Sequence, residues 1–212
     1  MKKAHYWLAA IGLSLAAATA ARAEAEFQEG IHYERLATPV PTGTGKQVEV
    51  LEMFWYGCPH CYRFEPFVER FLENKPKTAE FVRVPAIFRP EWEVHARAYY
   101  TAELLGVVDK IHRPLFEAIH EQHARLDDHA AIQKFFVEHG VKQTDFAKTF
   151  NSFAVETKVR RSKKAAEIYG VTGVPAVIIN GKYRTSVSTA GSGEAVLKII
   201  DFLVKQESGK KK

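Results

Sequence analysis

A chain of 212 residues with 30 Lys and Arg against 25 Asp and Glu, 46% apolar residues and two cysteines can bury the core of one ordinary domain, or of a small domain with an insertion. The formal charge of +5 is modest, and no long basic stripe interleaved with aromatics is present, so the sequence offers no footing for nucleic acid. Cys58 and Cys61 close too small a loop to brace a fold through chain entropy, which makes a structural staple a poor account of them.

Met1 to Ala23 reads as a secretory signal, with Lys2 and Lys3 ahead of the apolar run Trp7 to Ala18 and a small-x-small cleavage pattern at Ala21-Arg22-Ala23. About a dozen apolar residues are too few for a membrane span, which needs ~20. Cleavage after Ala23 removes Lys2, Lys3 and Arg22 and lowers the formal charge to +2. The mature chain is therefore expected to be soluble and exported.

Gln47 to Trp55 predicts a strand that is apolar on both faces, with Val48, Val50 and Phe54 on one and Leu51, Met53 and Trp55 on the other, as in a central strand. Pro59 to about Glu73 follows with Phe64, Phe67, Val68, Phe71 and Leu72 at helical spacing, and Pro66 is expected to kink this helix rather than end it. Phe81 to Ile87 reads as a second strand. A helical block comes next: Glu93 to Leu105, a segment around Leu115 to Glu121, Ala130 to His139, Asp145 to Phe153, and Val155 to Tyr169, with Asp128 and Thr144 as N-caps. Strand character returns at Ala176 to Asn180, Asn180-Gly181 signals a tight turn, Tyr183 to Val187 follows, and a helix over about Gly193 to Val204 closes the domain. The order predicts an α/β chain with an inserted all-helical segment. Lys210 to Lys212 read as a solvated tail.

Cys58 and Cys61 fall at the strand-to-helix junction, where the first thiol faces the positive end of the helix dipole and unpaired N–H groups. Cys58 is thus expected to be an acidic, exposed nucleophile and Cys61 a buried resolving thiol. The alternatives are half of a zinc site or an inert bridge, but the histidines show no paired spacing near the cysteines, and no metal is expected. His60, between the thiols, either stabilises the Cys58 thiolate, which would make the disulfide a stronger oxidant, or is an exposed spacer. Glu52 shares a face with Val48, Val50 and Phe54; it is either a buried carboxyl that accepts the Cys61 proton or one that reaches water at the strand end. Val174-Pro175 opens a branched strand, where proline is confined to an edge or a start.

Glu52-Met-Phe-Trp-Tyr-Gly-Cys58-Pro-His-Cys61-Tyr-Arg-Phe-Glu65, with Gly173-Val-Pro175-Ala and Asn180-Gly-Lys-Tyr183, resembles the DsbA family of periplasmic dithiol oxidases. The resemblance covers most of the mature chain and implies a thioredoxin fold with an inserted all-helical domain. The expected division is a signal over 1–23, a thioredoxin-like domain over 24–88 and 171–206, a helical insertion over 89–170 and a basic tail over 207–212. It implies Cys58 as nucleophile, Cys61 as the buried thiol, Pro59 and His60 as tuning residues, Glu52 as the buried acid and a cis Pro175 after Val174 in the substrate groove. It further implies a periplasmic role without a cofactor other than the Cys58–Cys61 disulfide: reduced or unfolded exported proteins are the clients, and a DsbB-like, quinone-linked membrane protein reoxidises the pair. An isomerase or single-client reductase is a second reading, but the chain ahead of Gln47 is too short for the dimerisation domain isomerases carry, so a monomer is expected. A third is a chaperone or binding module with an apolar groove near Trp55, Tyr56 and Pro175.

Overall fold

The computed structural model describes residues 27–209, so the expected signal and Lys210 to Lys212 lie outside it. In chain order it holds β1 (Glu34–Arg35), β2 (Val48–Phe54), α1 (Pro59–Asn74), β3 (Ala79–Pro85), α2 (Glu93–Leu104), α3 (Val108–His120), α4 (His129–Glu138), α5 (Gln143–Phe150), α6 (Phe153–Ile168), β4 (Ala176–Ile179), β5 (Tyr183–Ser186), α7 (Val187–Ala190) and α8 (Gly193–Gly209). The strands form one mixed sheet in the order β1-β5-β4-β2-β3. β2 runs parallel to β3 and antiparallel to β4, which makes it the central strand that its two apolar faces predict. This is the thioredoxin fold, with helices α2 to α6 inserted between β3 and β4.

Both faces of β2 are covered. Val48 and Val50 pack with Phe64 and Val68 of α1 and Val196, Ile199 and Leu203 of α8, while Leu51 and Met53 pack with Ala165 and Tyr169 at the end of α6. The third cluster is the core of the insertion, Ile111, Leu115, Phe116, Ile132, Phe136 and Phe146, and it reaches Phe54, Tyr56 and both cysteines. The redox segment is thereby wedged between sheet and insertion.

Several boundaries differ from the sequence reading. α1 runs through Pro66, as expected, but α3 also runs through Pro114 and starts at Val108 rather than near Leu115, because Ile111, Leu115 and Phe116 form one buried face across the proline. Asp128 caps α4 by accepting from the Ala131 N–H at 2.9 Å. Thr144 caps nothing; α5 begins at Gln143, and Ser152, accepting from the Val155 N–H, separates α5 from α6. α8 continues to Gly209 instead of ending near Val204, and Glu207, which the sequence put in a solvated tail, is buried. Its carboxylate accepts from Asn180 Nδ2 at 2.7 Å and Tyr183 Oη at 3.2 Å and meets Lys182, fastening the β4–β5 turn to α8. In that turn Asn180 and Gly181 both have positive φ, 53° and 61°, and Lys182 N–H donates to Ile179 O at 3.0 Å. A Cβ at Gly181 would also lie 2.0 Å from Val40 O.

Candidate active site

Cys58 is the N-cap of α1 with extended backbone, Pro59 opens the helix, and Cys61 sits one turn inside. The Cys58 N–H donates to Trp55 O at 3.0 Å, tying the cap to the end of the β2 segment. Both thiols are free, and both are buried. Cys58 was expected to be exposed, yet it is only 8% exposed, because its Sγ faces Val174 O at 3.4 Å. The two thiols are driven apart in acidity. Hydrogen bonding from the Cys61 thiol, then the backbone N–H groups of Cys61 and His60, outweigh burial and bring Cys58 down to about 6. Burial pushes Cys61 far up, and a hydrogen bond to Cys58 and the latter's charge push it further.

His60 is exposed, and its Nδ1 accepts from Arg63 Nη2 at 3.0 Å. Its backbone N–H acts more strongly on Cys58 than its ring charge does. Pro175 follows Val174 through a cis peptide bond. Gly173, Val174 and Pro175 line an open groove of about 520 Å³ together with His60, Ser188 and Thr189.

Glu52 is fully buried in the middle of β2 rather than reaching water at a strand end. Its Oε2 accepts from Arg83 Nε at 3.2 Å, while Oε1 has no hydrogen-bond partner. Burial, then the charge of Glu65, raise its pKa to about 8 against the opposing pull of Arg83. The charge of an ionised Glu52 is felt at Cys61, where it raises the thiol's pKa.

The surroundings of Glu52 were not foreseen. Arg83 of β3 also donates from Nη2 to Glu65 Oε2 at 3.1 Å, and His112 of α3 meets Glu65 Oε1 at 3.2 Å through Nε2 and Tyr56 Oη at 2.8 Å through Nδ1. All five side chains are buried or nearly so, and the two carboxyls share the single cation Arg83 out of reach of water. Tyr56 is wholly buried and belongs to this chain of contacts rather than lining a groove. Its backbone carbonyl accepts from His120 Nε2 at 2.7 Å. Trp55 stacks on Trp92, ring centroids 3.8 Å apart.

Among the described residues no group of three His, Cys, Asp or Glu side chains is disposed to hold a metal ion. What the geometry offers is a dithiol at a helix start, one thiol acidic and the other kept protonated, with a buried carboxyl behind it and the cis Val174–Pro175 segment against Cys58.

The comparisons agree with that geometry. The family model described as DSBA-like thioredoxin domain matches residues 49–198. A thiol:disulfide interchange protein DsbA of Pseudomonas aeruginosa is 41% identical over 182 residues, covering 86% of each chain, and that of Pseudomonas syringae pv. tomato is 42% identical over 187 residues, covering 88% of this chain and 87% of the relative. The crystal structure of Pseudomonas aeruginosa DsbA superposes with a TM-score of 0.83 at 41% identity over 88% of this chain and 97% of that one. The chain belongs to the DsbA-like thioredoxin family and is a thiol:disulfide oxidoreductase.

Proposed function

We propose that the protein is a periplasmic dithiol oxidase that donates its Cys58–Cys61 disulfide to newly exported proteins. A client thiolate attacks Cys58 Sγ, the Cys58–Cys61 bond breaks, and Cys61 leaves as a thiolate that takes a proton from the Glu52 carboxyl. A second client thiol then displaces Cys58, which leaves as a thiolate, so two electrons leave the client; of the two sulfhydryl protons it releases, one restores the Glu52 carboxyl and the other goes to solvent. Val174 and Pro175 hold the extended client beside Cys58 through free backbone groups. Pro59 and His60 lend the thiolate a helix start with unpaired N–H groups. A DsbB-like quinone-linked membrane oxidase restores the disulfide, and no cofactor takes part.

The observation that carries this reading is the opposite displacement of the two thiols, Cys58 down to about 6 and Cys61 far up. A thiolate populated at neutral pH stabilises the reduced form and is a good leaving group, both of which favour giving the disulfide away. Export is supported by the amino-terminal signal pattern, and no described helix is long and apolar enough to cross a membrane. The test is the redox potential of the mature protein against glutathione. A value near the ~−120 mV of DsbA, a reference and not a quantity worked from this geometry, is expected, and one near the ~−270 mV of thioredoxin would sink the reading. Cys58→Ala is expected to abolish activity and Cys61→Ala to trap mixed disulfides with clients.

A further inference from the structure

We propose that His112, in the helical insertion, is a positioning residue that decides which of two buried carboxyls keeps the shared proton, holding it on Glu52 beside Cys61 and leaving Glu65 as the anion. Glu52 and Glu65 both contact one cation, Arg83, at 3.2 and 3.1 Å, and none of the three is more than 10% exposed. Two carboxylates and one guanidinium would leave a net charge out of water, so one carboxyl holds a proton. The contacts differ between the two. Both oxygens of Glu65 are engaged, Oε2 by Arg83 and Oε1 by His112, while Glu52 has only Arg83 on Oε2 and nothing on Oε1.

His112 settles the asymmetry through its tautomer. With Tyr56 Oη donating to Nδ1, the proton of His112 is on Nε2 and points at Glu65 Oε1, which must then be an acceptor. In the opposite tautomer Nε2 would be a lone pair and Glu65 would carry the proton in its place. Burial disfavours a charged His112, so the ring remains a neutral relay between Tyr56 and Glu65. Of the other charged groups nearby, Arg113 adds positive charge at Glu65 while itself paired with Glu69 and Glu117, and Tyr99 beside Arg83 is neutral because burial raises its pKa. The proton thus rests at the free oxygen of the carboxyl whose charge is felt at Cys61. Burial on an apolar face already makes Glu52 hard to ionise; what α3 adds, from another part of the chain, is the choice of Glu52 over Glu65 as the proton's holder. The consequence for turnover rests on the dithiol reading above, but the proton's place does not.

The test is infrared spectroscopy of the reduced, full-length mature protein, following the protonated carboxylic C=O band below and above about pH 8. In the wild type the band is expected to vanish in Glu52→Gln and to survive in Glu65→Gln. With His112→Leu as background the dependence is expected to reverse, the band vanishing in Glu65→Gln. His112→Gln, which keeps a donor for Glu65, is expected to restore the wild-type pattern. The rate at which Cys61 displaces glutathione from a mixed disulfide at Cys58, followed against pH, is expected to show its midpoint shifted down by about one unit in His112→Leu and not in His112→Gln. A wild-type band carried by Glu65, or an assignment unmoved by His112→Leu, overturns the proposal; the wild-type assignment decides it even where His112→Leu does not fold. Because the band is read on the resting protein, it answers independently of whether the dithiol acts as an oxidase.

Discussion

Reduction of the disulfide should stabilise the fold, and by an amount that grows with pH. In the reduced protein Cys58 has a pKa of about 6, against 9.0 for an unperturbed thiol. A depressed pKa contributes stability that is complete above the unfolded value and is lost as pH falls through the folded one. Near pH 5 the thiol is protonated in both states and contributes almost nothing, whereas near pH 8 the folded thiolate lies about two units below ambient pH, worth about 3 kcal/mol. Cys61 stays protonated throughout and adds little. The oxidised protein has no titrating thiol, so subtracting its stability removes, to first order, every group indifferent to redox state, Glu52 included. Urea unfolding of both forms at the two pH values should therefore show the reduced-minus-oxidised difference rising by about 3 kcal/mol, equivalent to about 60 mV of added oxidising power. Absorbance of the Cys58 thiolate in the same samples should titrate near 6. A stability difference that does not change with pH would refute the assignment of an anionic Cys58.

Glu52 has the opposite sign. Its folded pKa of about 8 lies above the ordinary carboxylate value of 4.5, so the fold loses stability as pH rises between them, by about 3 kcal/mol at neutral pH. Glu52→Gln is expected to recover most of that loss near pH 8 and none near pH 4, seen as unfolding midpoints that no longer fall with pH. Gly57→Ala would place a Cβ 2.3 Å from the Trp55 ring, so it should push Trp55 off Trp92, cost about 1–3 kcal/mol and change the tryptophan fluorescence. Unchanged fluorescence would show that the stack tolerates it. Glu207→Ala removes the shared acceptor of Asn180, Lys182 and Tyr183 and should cost about 3 kcal/mol while leaving the Cys58 titration in place. A shifted titration would mean that the far end of the sheet reaches the dithiol.

Much of the architecture could be read locally. The double-sided apolarity of Val48 to Phe54 announced a central strand, and Asp128 and Asn180-Gly181 marked a cap and a turn that the structure contains. Local rules failed where tertiary packing overrode them. The segment around Leu115 to Glu121 is the second half of a longer helix, because the buried stripe through Ile111, Leu115 and Phe116 carries α3 across Pro114. The polar end of α8 looked like a tail because nothing in its own stretch shows that Glu207 finds three donors some 25 residues back. The same limit governed the site. Glu52 stood out because a carboxyl on an apolar face is anomalous, whereas Glu65, one of several acids in an amphipathic helix, did not. Its partners Arg83 and His112 lie 18 and 47 residues away, and only the topology brings them together.

The place of the insertion in the chemistry follows from those distances. A thioredoxin sheet with α1 alone would supply the helix start that lowers Cys58, because that effect comes from groups of residues 58–61 themselves. It would not supply the dryness that raises Cys61 and Glu52, since Cys61 is packed in the cluster built around Ile111, Leu115 and Phe116. α3 adds two directed contacts to this wall, His112 to the Tyr56 hydroxyl and His120 to the Tyr56 carbonyl, two residues ahead of Cys58. Eight positions apart on one helix, they grip a single residue of the redox segment at its side chain and its backbone. The acidity of Cys58 is thus a local property of the Cys-Pro-His-Cys turn. The protonation of the thiol and carboxyl behind it depends on the inserted helices, so a change in their packing should alter the resolving step before it alters the Cys58 pKa.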